Sequence, residues 1–533
     1  MATVVSGTGD AKGDGGGRAG SHPRGEAGGQ TATLKSHAPA TGALLGEVPI
    51  ASADDVKRAV VRARRAQEAW ALLPVAERCE RILRLRNAFI DRADEIVDLL
   101  TRECGKPRHE ALSCEVIPVA DLIGFYAARA ERILAHRPID LHLMKYRRSY
   151  VHYTPRGVVG VISPWNFPFS LATGDSICAL IAGNAVIVKP SEVTPLILQK
   201  TKEIWDATGL PEDLFQVVQG YGPTGAALIE SGVDKIVFTG SVATGKKIAA
   251  ACGERLIPCT LELGGKSPLI ACADADVERT ARAIVFGGFV NCGQVCISVE
   301  RVYAHEQIHD RLLERVVGLV SELRQGDPAE STVEIGAITF PKQIDVAEKH
   351  IADAVSKGAE LRAGGKKKAG PGLFFEPTIL ANCDHKMTVM KEEIFGPIVP
   401  FMKVKDEEEA IALANDSHLG LNAYVFTRDK DKGCRIAERV LAGSVMVNDV
   451  VANHAMPETP FGGVKQSGIG RVHGEDALRD MSDARHVNVN RLPTMDREPI
   501  WYPYTPESLK WMTKAARALF GGGSLLQKLG ELL

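Results

Sequence analysis

The chain has 533 residues, of which 45% are hydrophobic and 24% charged, with a formal net charge of −2. It is too long for one ordinary domain and rich enough in apolar residues for large cores, and it lacks the global basic field that nucleic-acid binding draws on. Its 11 cysteines are scattered, odd in number and without CxxC spacing, which argues against a disulfide framework and a zinc site. A working thiolate suits a reducing, cytoplasmic setting.

Residues 1–30 are Gly-rich with mixed charges, cannot bury a core, and are expected to be disordered. No apolar run marks a secretory signal, and no stretch is read as the ~20 apolar residues of a membrane helix. Order is expected from Thr31. Ser36 to Gly42 reads as turns between short strands. Ala53-Asp-Asp55 is expected to cap a helix through Val56, Val60, Ala66 and Trp70. A second helix starts at Pro74 and carries Ile82, Leu85, Phe89, Ile96 and Leu99, until Gly105-Lys-Pro107 breaks it. A third runs through Val116, Leu122 and Ala127 to about Leu134. Met144 to Tyr153 is basic and aromatic; it reads as an oligomer-bridging strand rather than an RNA-stacking strip, because no larger basic face accompanies it.

From Gly157 the pattern alternates strand and helix. Apolar strands are expected at 157–163, 185–189, 214–218, 235–238 and 258–263. Continuous apolar strands separated by helices predict a parallel sheet covered on both faces, with ligands at the strands' carboxyl ends. Trp165-Asn166, Lys189 to Glu192, Gly240-Ser241 and Glu262 fall at those ends. Gly220 to Gly225 spells G-x-G-x-x-G, but Pro223 interrupts it and Asp234 precedes the next strand, so it reads as a tight turn. Phe238 to Gly245 is the better phosphate site, with Ser241 capping a helix.

Cys296 follows Gly293-Gln294, a turn expected to expose a thiol in a field that favours its thiolate. Glu262 lies 296 − 262 = 34 residues upstream. A nucleophile and a separate carboxylate base can form and then hydrolyse an acyl-enzyme. Cys292 reads either as a small core residue or as a thiol that protects Cys296 under oxidation. Further strands at 299–305, 360–362, 378–380, 397–401 and 423–426 predict a second α/β lobe. The tail from Pro493 carries an amphipathic stretch, Pro506 to Phe520, then Gly521 to Gly523 and a second short apolar helix. It reads as an interfacial membrane helix, a lid over the substrate mouth, or a helix packed on a neighbouring subunit.

Seven blocks, in order and spacing, give the chain a resemblance to the aldehyde dehydrogenase superfamily across residues 31–490. They are Pro164 to Pro168, Gly183 to Glu192, Phe238 to Ser241 with Gly245, Leu261 to Lys266, Gly293 to Cys296, Glu392 to Pro397 and Pro460 to Gly468. The resemblance implies an α/β architecture: a Rossmann-type NAD(P)-binding domain (31–136 and 157–262), a catalytic domain (263–472) and a small β oligomerisation flap (137–156 and 473–492), followed by the tail, 493–533. It implies Cys296 as nucleophile, Glu262 as base and Asn166 as oxyanion donor. It places Trp165, Asn166, Lys189, Pro190, Ser191 and Glu192 around the cofactor, with Gly240, Ser241 and Gly245 by its pyrophosphate and Leu263, Glu393 and Phe395 by its nicotinamide half. It implies oxidation of an aldehyde to the acid by a homodimer or homotetramer. NAD is expected over NADP if Glu192 takes both ribose hydroxyls. Two stretches resemble bacterial succinate-semialdehyde dehydrogenases, which makes that aldehyde one alternative. Small residues near Gly174 point instead to a wide tunnel for a longer aliphatic or aromatic aldehyde. A cofactor-binding scaffold without turnover would predict a damaged Cys, Glu or Asn, and all three are present.

Overall fold

The computed structural model describes residues 32–492, 496–498 and 500–522. The Gly-rich stretch 1–30 and the second tail helix therefore lie outside the described residues.

The first lobe is built on a six-stranded sheet. Its spatial order is Gly468–Ile469, Cys259–Glu262, Lys235–Thr239, Val158–Ile162, Ala185–Lys189 and Phe215–Val217. All neighbours are parallel except the short first strand, which returns from far along the chain to cover Cys259–Glu262. Val158–Ile162 and Ala185–Lys189 are buried at every position, which is why they read as unbroken apolar runs. The strand order reverses between Val158–Ile162 and Lys235–Thr239, so a crevice opens at their carboxyl ends.

A helical layer precedes this sheet. Its first helix, Ala53–Ala71, is capped by Ser52, one residue before the expected cap, and Asp55 closes a capping box. The long helix expected from Pro74 is two, Val75–Asp91 and Ala93–Cys104, because Arg92 leaves helical geometry. Gly105 ends the second at φ +76, where a Cβ would stand 2.8 Å from the Pro39 ring. The next helix runs from Arg108 to Leu134 through a π-helical turn at Leu112–Val116. Contrary to the sequence expectation, it is long and apolar enough by length and composition to cross a membrane. Here it packs on the helices Val75–Asp91 and Pro168–Ala182, with Glu110 and Glu115 buried.

The second lobe holds a seven-stranded sheet ordered Glu360–Ala363, Thr378–Ala381, Ile398–Val404, Val299–His305, Ser267–Ala271, Asn422–Phe426 and Ser444–Val447. Only Glu360–Ala363 is antiparallel. Ser267–Ala271 and Ser444–Val447, like the helices Val277–Phe289, Glu407–Asn415 and Lys430–Ala437, are elements beyond those the sequence pattern predicts. A separate antiparallel sheet joins Arg137–Ile139, Arg147–Pro155 and Ser482–Asn490, with Ser482 opposite Pro155 and Asn490 opposite Arg147. The basic aromatic segment is thus a strand from Arg147 onward, with Met144 to Tyr146 preceding it outside the strand. Its partner begins only at Ser482, because Gly474–Asp480 is helical.

Candidate active site

The thiol sits beyond a strained turn. The helix Val277–Phe289 stops at Val290, and Asn291, Cys292 and Gly293 then take positive φ values of 50°, 57° and 72°. Only glycine enters this region without cost, so two strained residues must be held in place. At Gly293 a Cβ would lie 2.2 Å from the Gly396 carbonyl oxygen. Glu110 accepts the Asn291 N–H at 2.9 Å, and the Asn291 side chain donates to the Asn166 carbonyl at 2.9 Å. Gln294 accepts the Thr339 N–H on its side-chain oxygen at 2.8 Å. The turn leaves Cys296 half-buried and puts Cys292 inside the second lobe's core, the small structural residue of the two readings.

The electrostatics differ from the expectation of a favoured thiolate. Burial, with the Glu393 and Glu262 carboxylates nearby, pushes the Cys296 thiol up to about 12. The thiol of the protein alone is therefore protonated at neutral pH. Glu262 ends the strand Cys259–Glu262 and is 5% exposed. Neither of its side-chain oxygens has a hydrogen-bond partner among the described residues. Burial holds this carboxyl well above the usual range; Asp175 adds to the effect and Arg471 opposes it.

Asn166 is positioned from all sides. Its Nδ2 donates to the Gln294 carbonyl at 3.0 Å, and its own carbonyl accepts the Lys106 ammonium at 2.7 Å. Lys106 forms a completely buried ion pair with Glu115. The other Glu115 oxygen accepts the N–H groups of Phe169 and Ser170, at 2.9 and 3.0 Å, in the first turn of the helix Pro168–Ala182. Glu110 lies just before the π-helical turn and Glu115 within it, five residues on, so the bulge aims both at the site.

A cavity of about 330 Å³ opens beside the thiol. It is lined by Trp165, Asn166, Gly240, Ser241, Glu262, Leu263, Cys296, Glu393 and Phe395, which the sequence had named, and by Phe340, Gln343 and Val346, which it had not. The last two lie on the helix Lys342–Ser356, and its periodicity looks like ordinary packing. The Trp165 ring meets Phe395 edge-on at 5.3 Å and tilts against Phe340 at 5.9 Å. Ser241 caps the helix Val242–Glu254 by accepting the Thr244 N–H at 3.3 Å, as expected. Gly245 does not line the cavity. Its hydrogen lets that helix lie against Leu263, whose side chain a Cβ would meet at 2.5 Å. Glu393 accepts the Gly265 N–H at 3.0 Å, and burial with Glu300 pushes its carboxyl up to about 8. Lys189, Pro190, Ser191 and Glu192 stand outside this cavity, at the end of the neighbouring strand. There Lys189 approaches Glu192 at 3.4 Å. Gly220 to Gly225 makes a turn into the helix Gly222–Glu230 and takes no part in the cavity. Asp234 instead pairs with Arg64 and accepts the Val158 N–H. A helix N-terminus, close glycines and an aromatic wall form a cradle that fits a dinucleotide.

Cys296 borders two further cavities. One, of about 350 Å³, is walled mainly by apolar groups, among them Pro118, Phe167, Leu171, Phe286, Val290, Val295, Ile297 and Val451. Among the described residues that line it there is no Lys or Arg; its ionisable groups besides thiols are Asp449 and His454. Burial pushes His454 down to about 4, so it is neutral. The other, of about 20 Å³, is bounded by Glu262, Cys296, Asp175, His454 and His473 and has room for about one water. Gly174 borders this small cavity and not the large one, so it does not widen the tunnel as the sequence had suggested.

A thiol, a buried carboxylate and an amide donor, set between a dinucleotide cradle and an apolar channel, define a thiol-dependent NAD(P) oxidoreductase. The chain belongs to the aldehyde dehydrogenase family, whose model matches residues 27–487. It is an NAD(P)-dependent aldehyde dehydrogenase, oxidising an aldehyde to the carboxylic acid. It is 38% identical to a 4,4'-diapolycopene aldehyde oxidase of Methylomonas sp., over 93% of each chain. It is also 38% identical to a Mycobacterium ulcerans protein provisionally named succinate-semialdehyde dehydrogenase (NADP(+)) 2, over 87% of this chain and 90% of that one. The structure of an NAD-dependent aldehyde dehydrogenase from Sinorhizobium meliloti matches with a TM-score of 0.84 at 34% identity, over 89% of this chain and 93% of that one.

Proposed function

We propose that Cys296 is the nucleophile, Asn166 the oxyanion donor and Glu262 the base, and that the aldehyde they oxidise is apolar. The apolar channel carries this reading. A semialdehyde carboxylate there would be buried without a cation, which is costly.

In the first step the Cys296 S–H proton passes to water in the small cavity beside it, and the sulfur bonds to the carbonyl carbon. The carbonyl oxygen takes the electron pair as an oxyanion. Asn166 Nδ2 carries two N–H groups; one is held by the Gln294 carbonyl and the other is available to that oxygen. Such a donor is worth about 3–4 kcal/mol. Bound oxidised dinucleotide supplies a positively charged hydride acceptor. The carbon then retains the sulfur as a thioester. Glu262 takes a proton from water, the water oxygen bonds to the acyl carbon, the C–S bond breaks, and the proton held by Glu262 returns to the sulfur to restore the thiol. No partner among the described residues ties up the Glu262 oxygens, so both can face that water.

The cofactor is proposed to be NAD, with NADP as the alternative, because Glu192 would repel a 2′-phosphate. We take 31–136 with 157–262 as the cofactor-binding unit, 263–472 as the catalytic unit and 137–156 with 473–492 as the flap. A homodimer or homotetramer would cover the outer strand edges at Ser444–Val447 and Ser482–Asn490. A cytoplasmic location suits cysteines that are all free. Turnover of hexanal, decanal, benzaldehyde and succinate semialdehyde, each with both cofactors, tests the reading. Decanal is expected to exceed succinate semialdehyde in kcat/KM by at least ~10-fold; the reverse order would overturn the apolar assignment.

A further inference from the structure

The segment that follows the flap is an unusual surface. It is fixed at its base, since the buried Glu498 accepts from Arg147 at 2.8 Å, Tyr146 at 3.1 Å and Asn490 at 2.7 Å. The helix Pro506–Phe520 is well begun: Thr505 and Ser508 cap each other in a capping box. Yet in this helix only Ala518 is buried. Tyr502 is 77% exposed, Phe520 68%, Tyr504 66% and Leu509 63%. Residues 500–520 hold two of the chain's 5 tryptophans, Trp501 and Trp511, and two of its 9 tyrosines. Both tryptophans are exposed as well. Rings with an apolar body and a polar tip are suited to a surface that is oily on one side and wet on the other.

The charges choose the occupant. At 100° per residue Leu509, Ala516 and Phe520 share a narrow arc, and Arg517, Lys510 and Lys514 all lie to one side of it, Lys514 more than a right angle away. No carboxylate among the described residues pairs with any of the three. With Glu507 the segment carries 3 − 1 = +2, in a chain of net −2. A second copy docked face to face would set +2 against +2. An anionic bilayer would meet the basic flank and take up the apolar arc. We propose that residues 500–520 dock this enzyme on a bilayer with anionic headgroups, from which its apolar aldehyde is drawn. The delivery half of this inference rests on the apolar-aldehyde reading; the docking half does not.

Co-sedimentation of the full chain with phosphatidylcholine vesicles, and with vesicles one third phosphatidylglycerol, tests it. The protein is expected to pellet with the anionic vesicles and to be released by salt. The triple variant Lys510→Glu, Lys514→Glu, Arg517→Glu is expected to lose binding by more than about fivefold per residue changed, while hexanal turnover without vesicles shows that it is folded and active. Trp501→Ser with Trp511→Ser is expected to weaken binding on its own. A full chain that stays in the supernatant with both vesicles overturns the proposal. So does a triple variant that binds like the native chain, or one that changes only the mass seen by light scattering, which would assign the face to a second copy. Vesicle binding with a preference for succinate semialdehyde would defeat the substrate reading alone; decanal preference without vesicle binding would defeat the docking alone.

Discussion

Two buried regions touch Cys296, and they treat charge in opposite ways. Around Asn166 the Lys106–Glu115 pair is completely buried, and its hydrogen bonds reach the Asn166 carbonyl and the N–H groups of Phe169 and Ser170. Around Glu262 burial leaves a carboxyl with no partner among the described residues, next to Asp175, whose own carboxyl burial pushes up to about 7. On the proposed reading one region positions and the other reacts. The difference shows where the fold places its stability: a network that makes one geometry rigid supports a site whose groups must stay unsatisfied to work.

The largest effect should come from neutralising the reactive side. Glu262→Gln is expected to lower kcat by about 10²–10⁴ while a burst of NADH on mixing with aldehyde survives, because the base acts after the thioester forms. Stopped-flow absorbance separates the two; loss of the burst as well would show that Glu262 acts earlier. The same change should stabilise the protein above pH 5. Folding raises this carboxyl above its unfolded value of ~4.3, so the folded state holds the proton more tightly and stability falls as pH rises between the two values. The Gln variant should lose that fall in a melting curve against pH. In the native protein kcat should rise with pH through a value above the ordinary carboxylate range.

On the positioning side the order reverses, with stability lost first. Glu115→Ala leaves the Lys106 ammonium buried without its partner, an expected loss of about 3–5 kcal/mol in denaturant unfolding. Lys106→Met with Glu115→Leu should recover most of that loss, since an apolar pair of similar volume often replaces a buried ion pair without penalty. Turnover should stay low in the double variant, because the Asn166 carbonyl keeps only the Asn291 amide of its two donors and the Phe169 and Ser170 N–H groups still lack their acceptor. Full recovery of kcat would show that the network is only structural.

The residues proposed to react were legible in the sequence and those proposed to position them were not. Cys296, Glu262 and Asn166 sit in short local blocks, and the strands behind them are apolar runs because both faces are covered. Lys106 was visible only as part of a helix break, and Glu110 and Glu115 as charges on a helix whose 3.6-residue period hides a five-residue π spacing. The central strand Ser267–Ala271 was missed because its Ser-Pro start resembles a turn; the register indeed shifts between Ser267 and Pro268. The protonated state of Cys296 was invisible for another reason. Its carboxylate neighbours Glu262 and Glu393 lie 34 residues before it and 393 − 296 = 97 after it, and only the packing of the two lobes brings them to the sulfur.

The smallest effect belongs to a third kind of charge, neither buried and paired nor buried and alone. The Glu192 side chain is 40% exposed, 3.4 Å from the buried Lys189 ammonium, at the end of the strand beside the cradle. Water screens a charge so placed, and its repulsion of a 2′-phosphate should be modest. Glu192→Gln is therefore expected to change the ratio of NADP to NAD affinity by no more than about tenfold, or ~1.4 kcal/mol, in favour of NADP. Quenching of tryptophan fluorescence on titration with each dinucleotide reads both affinities without turnover. A change of several hundredfold would mean that Glu192 is desolvated when the cofactor binds and belongs with Glu262 rather than with the surface. No change at all would mean that Lys189 or another group sets the preference. Either result would redraw the boundary between the screened rim of this site and its unscreened centre.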